Sequence, residues 1–272
     1  MLPEKFSCFC DAKTHDPLLL IQEKDARGAI VHSLINHRTN VRYPIVDGIV
    51  RILNEQDVVG RNKRYQGLYD SFAPFYSFAQ KIVPLYYRIV HLFRKNFEQD
   101  PFKEFIAKLG VKPVEKVLEV SIGTGDNIQF FPHGIELYGL DISLGMLKQC
   151  FKRYKKSSPS PILVHGMAEE LPFKDATFDM VMHIGGINFF NNKAQAIHEM
   201  IRVAKPGARF IIADETEKTA KESESMLITR RFFKNRDEVI VPPVDLIPTE
   251  MKNIELNYRF DESLYIITFT KP

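Results

Sequence analysis

Hydrophobic and polar positions change their rhythm twice along the chain. Residues 1 to about 53 carry short β-like runs, "PLLLIQ", "AIVHSLI" and "YPIVDGIVRIL", separated by Asp, Lys, Gly and Asn turn signals, a pattern that predicts a small β-rich module. From Arg61 to about Leu109 the spacing becomes helical, with Tyr65, Leu68, Tyr69 and Phe72, then Ile82, Leu85, Tyr86, Ile89, Val90 and Phe93. Apolar residues three and four apart share one helix face, so this stretch reads as amphipathic helices, punctuated by Pro74, Pro84 and Pro101. After Lys112, strand and helix alternate: "KVLEVSI", a helix from about Asn127, "ELYGLDI", a helix over 144–156, "PILVHGM", "FDMVMHI", a helix over 192–203, and "ARFIIADE". That βαβα order implies a parallel sheet with helices on both faces and ligands at the carboxyl ends of the strands. "IELNYRF" and "LYIITFTKP", joined by "DES", read as an antiparallel hairpin at the sheet edge.

Composition narrows this only a little. The 272 residues are 44% hydrophobic and 11% aromatic, enough for a substantial core. A net charge of +3 lacks the dense basic patch of a nucleic-acid binder. Three cysteines, Cys8, Cys10 and Cys150, cannot build a disulfide framework, and no secretory signal order opens the chain. The expected compartment is the cytoplasm, with no membrane span; the oligomeric state is left open.

The chemistry begins at "VLEVSIGTGDN" (117–127), an apolar strand running into a turn with Ser121, Gly123, Thr124 and Gly125. Glycine tolerates backbone angles and close approaches that other residues do not. Asp141 follows at the carboxyl end of the next strand, where a carboxylate can accept hydrogen bonds from both hydroxyls of a ribose. A dinucleotide loop wants a third glycine three positions after Gly125, and Ile128 stands there. Glu119, an acid at the end of the first core strand, suits a cation better than a phosphate. The combination fits S-adenosylmethionine, which carries a sulfonium and an amino-acid end.

At this point the sequence resembles the class I S-adenosylmethionine-dependent methyltransferases, and within them the ubiquinone and menaquinone biosynthesis C-methyltransferase branch. The resemblance rests on five ordered motifs: "LYDSFAPFY" (68–76), "VLEVSIGTG", "LYGLDIS" with Met146 following, "GMAEELPFKDATFDMV" (166–181) and "EMIRVAKPGARFII" (199–212). It implies a Rossmann-like, mostly parallel seven-stranded sheet with an antiparallel C-terminal hairpin, preceded by a small β-rich module and a helical cap. The corresponding division is 1–58, 59–110 and 111–272. It also implies S-adenosylmethionine as cofactor, with Glu119 at the methionine amino end, Ser121, Gly123, Thr124, Gly125 and Asn127 in the loop, and Asp141 on the ribose. Ile142, Met167, Ala168 and Glu169 would flank the adenine, Met146 would belong to the cofactor site, and His183 and Ile184 would face the methionine and the acceptor. Tyr65 and Tyr69 would close the cleft from the cap, with Phe72 and Tyr76 as further lid candidates. Ser121 departs from the family's usual glycine.

The opening "FSCFCDA" with "HSLINHRTNVRYPIVDGIVRIL" resembles the zinc-ribbon-like domain ahead of some bacterial methyltransferases, including a ribosomal RNA guanine methyltransferase. That pattern holds zinc with two C-x-x-C pairs. Here the first pair is C-x-C and "NHRT" (36–39) replaces the second, so no metal is expected, although His15, His32 and His37 lie nearby.

Methyl transfer needs a base only when the acceptor must lose a proton. Candidates at the carboxyl edge are His183 and Asn188 from "HIGGINFF", with Asp214 and Glu215 from "IIADET". The leading expectation is an enzyme methylating a carbon or oxygen of a small, apolar acceptor. The alternatives are a ribosomal RNA methyltransferase and a non-catalytic binding protein that kept the fold.

Overall fold

The computed structural model describes residues 3–24, 26, 28–90, 106–107, 110–225, 230–234, 236 and 238–272, the side chains of 3 and 76–90 excepted. The predicted positions Phe93 and Pro101, and the side chain of Tyr76, lie outside this set.

Among the described residues eleven strands form one sheet in the order β1-β2-β3-β4-β7-β6-β5-β8-β9-β11-β10. They are β1 (Leu18–Lys24), β2 (Ile30–Asn36), β3 (Arg42–Val46), β4 (Ile49–Arg51), β5 (Lys116–Val120), β6 (Glu136–Asp141), β7 (Ile162–His165), β8 (Phe178–Ile184), β9 (Ala204–Glu215), β10 (Lys252–Arg259) and β11 (Leu264–Thr270). Strands β7, β6, β5, β8 and β9 pair in parallel, and β11 and β10 add antiparallel at one edge. These seven are the core expected from the sequence. The strands of the N-terminal module extend the same sheet, because β4 pairs in parallel with β7 through Ile49–Leu163 and Val50–Val164.

The central strands are near-continuous apolar runs because both faces are covered. Successive side chains on a strand point to opposite faces, and the core divides accordingly. Leu118, Val120, Tyr138, Leu140 and Val164 join one buried cluster. Val117, Leu137, Leu163, Met180 and Met182 join the other.

Three helices matter for the site: α1 (Gly60–Val90), α2 (Leu144–Tyr154) and α3 (Lys193–Val203). Ser143 caps α2 by accepting from the Met146 N–H, and Asn192 caps α3 by accepting from the Gln195 N–H. Pro74 and Pro84 do not divide the cap segment as the sequence suggested; α1 runs through both. A proline inside a helix removes one hydrogen bond and crowds the carbonyl four residues back, and here that turn is held from outside. The Asp70 carboxylate accepts from the Ser143 hydroxyl at 2.6 Å and the Gly145 N–H at 2.8 Å, so α1 sits on the positive end of α2. A side chain at Gly145 would meet the Ala73 Cβ at 2.9 Å, which makes glycine a condition of this contact.

A second correction concerns the segment after the glycine turn. The helix expected from about Asn127 is only a short 3-10 turn, Asp126–Phe130, followed at once by Pro132 and Gly134, which end helical structure.

The place where a zinc ribbon would hold metal is tied by side chains. Asn36, fully buried, donates from Nδ2 to Asp11 Oδ2 and Asp16 Oδ2 at 3.2 Å, and its Oδ1 accepts from the Arg38 N–H at 2.9 Å. Asp11 also accepts from the Tyr43 hydroxyl at 2.7 Å and from two backbone N–H groups. Cys8 and Cys10 are free and buried, and desolvation pushes the Cys10 thiol up to about 12. Among the described residues no group of three His, Cys, Asp or Glu side chains stands ready to hold a metal ion, and no helix is long and apolar enough to cross a membrane.

Candidate functional site

The carboxyl ends of β5, β6, β8 and β9 open onto a cleft of about 380 Å³ that α1 closes from above, within the range of small-molecule sites. Its floor begins at Glu119, the penultimate residue of β5. This side chain is 1% exposed; Oε1 accepts from Asn127 Nδ2 at 2.6 Å, and Oε2 is buried without a partner among the described residues. Burial pushes its carboxyl up to about 8, against the lowering effect of the Asn127 hydrogen bond. An orphaned carboxylate oxygen in a cleft is a built-in place for a cation or a hydrogen-bond donor.

The loop that follows turns sharply. Ser121, Gly123 and Gly125 all have positive φ, at 62°, 55° and 79°. Glycine takes this conformation freely, whereas a serine is strained in it. Gly125 is also needed for space, since a Cβ there would meet Ile128 at 2.7 Å and Cys150 at 2.8 Å.

Asp141, the last residue of β6, anchors the loop. Oδ2 accepts from the Gly123 N–H and Oδ1 from the Ser143 N–H, both at 2.8 Å. Each oxygen keeps a lone pair for a ligand, and desolvation raises its carboxyl to about 6. The carbonyl of Ile142 is fixed by Gln66 Nε2 at 3.3 Å and His165 Nε2 at 3.0 Å.

Thirteen residues expected at the cofactor site line this cleft or underlie it: Tyr65, Tyr69, Glu119, Ser121, Gly123, Thr124, Asn127, Asp141, Ile142, Met146 and Ile184 on its surface, Gly125 and His183 beneath. Tyr65 is held on both sides, stacked on Phe189 at 4.0 Å with its hydroxyl donating to the Phe232 carbonyl at 2.8 Å. Met167, Ala168 and Glu169 stand outside the lining, one layer back. Asn62 connects them to the cleft, donating to Glu169 Oε1 at 3.0 Å and lying 3.9 Å from Met167 Sδ.

The two residues expected to carry chemistry are placed differently from that expectation. His183 is fully buried, with Nδ1 against the Val120 carbonyl at 3.1 Å and its ring edge-on to Phe190. Burial lowers it to about 4, so it is neutral at ordinary pH, and it does not line the cleft. Asn188 ties the β8 loop to β9 by donating from Nδ2 to the Glu215 carbonyl at 3.1 Å; it too lies outside the lining. Glu215 does line it, with Phe130, Phe189 and Phe190. Asn62 carried no signal as a site builder, and Asp70 stands within the "LYDSFAPFY" motif but received no role, because both roles depend on which turn of α2 or which loop α1 lands against.

Comparison with known proteins bears on this arrangement. Residues 118–212 match the family described as methyltransferase domain. A demethylmenaquinone methyltransferase of Renibacterium salmoninarum is 36% identical over 112 residues, 41% of this chain and 46% of that protein. One from Lactiplantibacillus plantarum is 32% identical over 158 residues, 56% of this chain and 62% of that protein. The chain thus spans about half to three fifths of the length of these relatives. A solved structure from Thermotoga maritima, titled an S-adenosylmethionine-dependent methyltransferase and possible histamine N-methyltransferase, shares the fold with a TM-score of 0.51 at 20% identity, over 74% of this chain and 98% of that one.

Proposed function

Starting from a chain whose residues 118–212 match the family described as methyltransferase domain, we propose that it transfers a methyl group from S-adenosylmethionine to a carbon or oxygen of a small, apolar, quinone-like acceptor. The observation that carries the reading is the buried Glu119 with its unpartnered Oε2 at the end of β5, set beside the Asp141-anchored glycine turn. These residues fit the cofactor. Glu119 would meet its ammonium group, Asp141 its ribose hydroxyls, and Ile142 and Met146 its adenine. When bound, it supplies an electrophilic methyl on a sulfonium.

The chain's own residues then position and enclose. Proximity and alignment of the two reactants supply a large share of the rate in such transfers. The apolar half of the cleft, with Tyr69, Phe130, Phe189 and Phe190, supports a flat hydrophobic ring as acceptor, and the names of the menaquinone-related relatives agree with it. In this reading residues 1–58 brace the sheet, 59–110 form the lid and 111–272 carry the chemistry.

Titration calorimetry with S-adenosylmethionine, followed by a turnover assay with reduced short-chain demethylmenaquinone, tests the proposal. Micromolar binding with methylated product supports it. Absence of binding at millimolar cofactor overturns it and favours a non-catalytic protein.

A further inference from the structure

Strand β10 ends the sheet at one edge among the described residues. An edge strand turns the N–H and C=O groups of alternate residues away from its sheet, which makes it a template for another strand. The regular part of β10 is short and sharply bounded. At its start the pairing with β11 slips between Lys252 and Glu255, with Asn253 at a φ of 55°. At its end Phe260, Asp261 and Glu262, with φ of 54°, 54° and 61°, turn the chain into β11. Residues 255–259 remain, with Asn257 at their midpoint. Side chains alternate between the two faces of a strand, so Leu256 and Tyr258 share one face and Glu255, Asn257 and Arg259 the other. Leu256 and Tyr258 stand opposite the buried Ile267 and Tyr265 of β11, yet are themselves 39% and 44% exposed. The apolar face of the sheet thus runs out to its rim uncovered.

Charge decides what such an edge accepts. Residues directly opposite in an antiparallel pair either both exchange backbone hydrogen bonds or both turn away, so a twofold axis relating two copies of β10 passes through a residue. Through Glu255 or Arg259 it sets like charges against each other. Through Leu256 or Tyr258 it leaves both charges without an opposite one. Through Asn257 it sets Glu255 of each copy opposite Arg259 of the other, with Leu256 opposite Tyr258 twice on the apolar face. Arg259 also donates from Nη1 to its own Tyr258 carbonyl at 3.0 Å; a guanidinium has five N–H donors, so that contact and a facing carboxylate are compatible. The opposite edge, β1, offers no equivalent. Its charged residues Glu23 and Lys24 are neighbours in sequence, which no residue-centred axis brings opposite, and Glu23 is paired with Arg42 within the chain.

We infer that β10 pairs antiparallel with β10 of a second copy of this chain, about a twofold axis through Asn257, joining the two sheets into one. The same strand serves on both sides, so the contact closes on itself as a dimer. It uses one short strand per copy and buries less than a standard protein interface, which places its affinity in the micromolar range. The inference is independent of the reaction proposed above.

Sedimentation of the full chain between about 1 and 300 μM tests it, and the wild type should pass from monomer to dimer across that range. Glu255→Arg alone and Arg259→Glu alone each set like charges at both facing pairs and should raise the dimer Kd about tenfold or more, with circular dichroism and Tm showing the fold intact. The double variant, Glu255→Arg with Arg259→Glu, should recover the wild-type Kd within about threefold. An equimolar mixture of the two single variants should form a heterodimer, because one copy then brings two positive charges to the facing positions and the other two negative ones. Leu256→Lys, which sets a charge on the apolar face, should weaken the dimer to a similar degree and serves where a charge variant loses the native spectrum. A wild type that stays monomeric at the highest concentration overturns the inference. So does a dimer whose Kd none of these substitutions moves, since it must use another surface. Weakened single variants with neither recovery in the double variant nor a heterodimer in the mixture overturn the register through Asn257.

Discussion

Replacing Glu119 by glutamine tests how the site is built, through folding as well as binding. The carboxyl is 1% exposed, one oxygen accepts from Asn127 and the other has no partner among the described residues, and burial lifts its pKa from 4.5 to about 8. A folded-state pKa above the unfolded one means that the native protein holds the proton more tightly. The group's stabilising contribution is complete below pH 4.5 and is lost as pH rises through the folded value of about 8. At about 1.4 kcal/mol per unit, the loss integrates to about 3 kcal/mol at pH 7 and on the order of 5 kcal/mol at pH 9. Glutamine is isosteric, keeps the Asn127 hydrogen bond and does not titrate. Glu119→Gln should therefore match the wild type near pH 4 and exceed it increasingly above, by roughly 6–10 °C in Tm at pH 7, while binding S-adenosylmethionine at least about tenfold more weakly because the cation loses its partner. Scanning calorimetry from pH 4 to 9 without cofactor checks the first outcome and titration calorimetry the second. A Tm difference that does not grow with pH, or a variant that binds cofactor normally, refutes the argument.

Three further outcomes follow from particular contacts. Ser121→Gly removes a Cβ from a left-handed residue worth about 1–2 kcal/mol of strain, offset by roughly 0.4–1 kcal/mol of unfolded-chain entropy; Tm should stay level or rise slightly, and cofactor Kd should tighten severalfold. Weaker binding in that variant would identify the hydroxyl as a ligand. Asp70→Ala removes the acceptor of the Ser143 hydroxyl and Gly145 N–H, which should cost about 1 kcal/mol and speed amide exchange in residues 60–75, whereas unchanged exchange would show that other contacts hold α1. Asn36→Ala should cost about 2–3 kcal/mol by leaving Asp11 and the 38–39 amides short of partners, while dialysis against a chelator should leave Tm unchanged; a chelator-induced drop would restore the metal reading of the N-terminal module.

The local periodicities of this chain determined most of its elements. Short, mostly apolar runs such as 116–120 and 178–184 suit strands covered on both faces, and glycine and asparagine turns mark where they stop, so β5 to β9 and the closing hairpin stand where the pattern puts them. The glycine turn and Asp141 were readable for the same reason, since both sit at strand ends within one local unit. Residues whose meaning comes from a distant partner were not readable. Pro74 and Pro84 read as breaks, yet α1 continues, because whether a helix survives a proline depends on what packs against it. His183 read as a reactive group, and only the packing of β8 against the Val120 carbonyl and Phe190 turned it into a buried neutral ring. Asn36 read only as part of the "NHRT" that stands in place of a second cysteine pair, until the fold brought Asp11, Asp16 and Tyr43 to it and around it. Glu215 reaches the cleft wall only because β9 is set beside the β8 loop, since burial and hydrogen bonding are properties of an environment assembled from residues far apart in sequence.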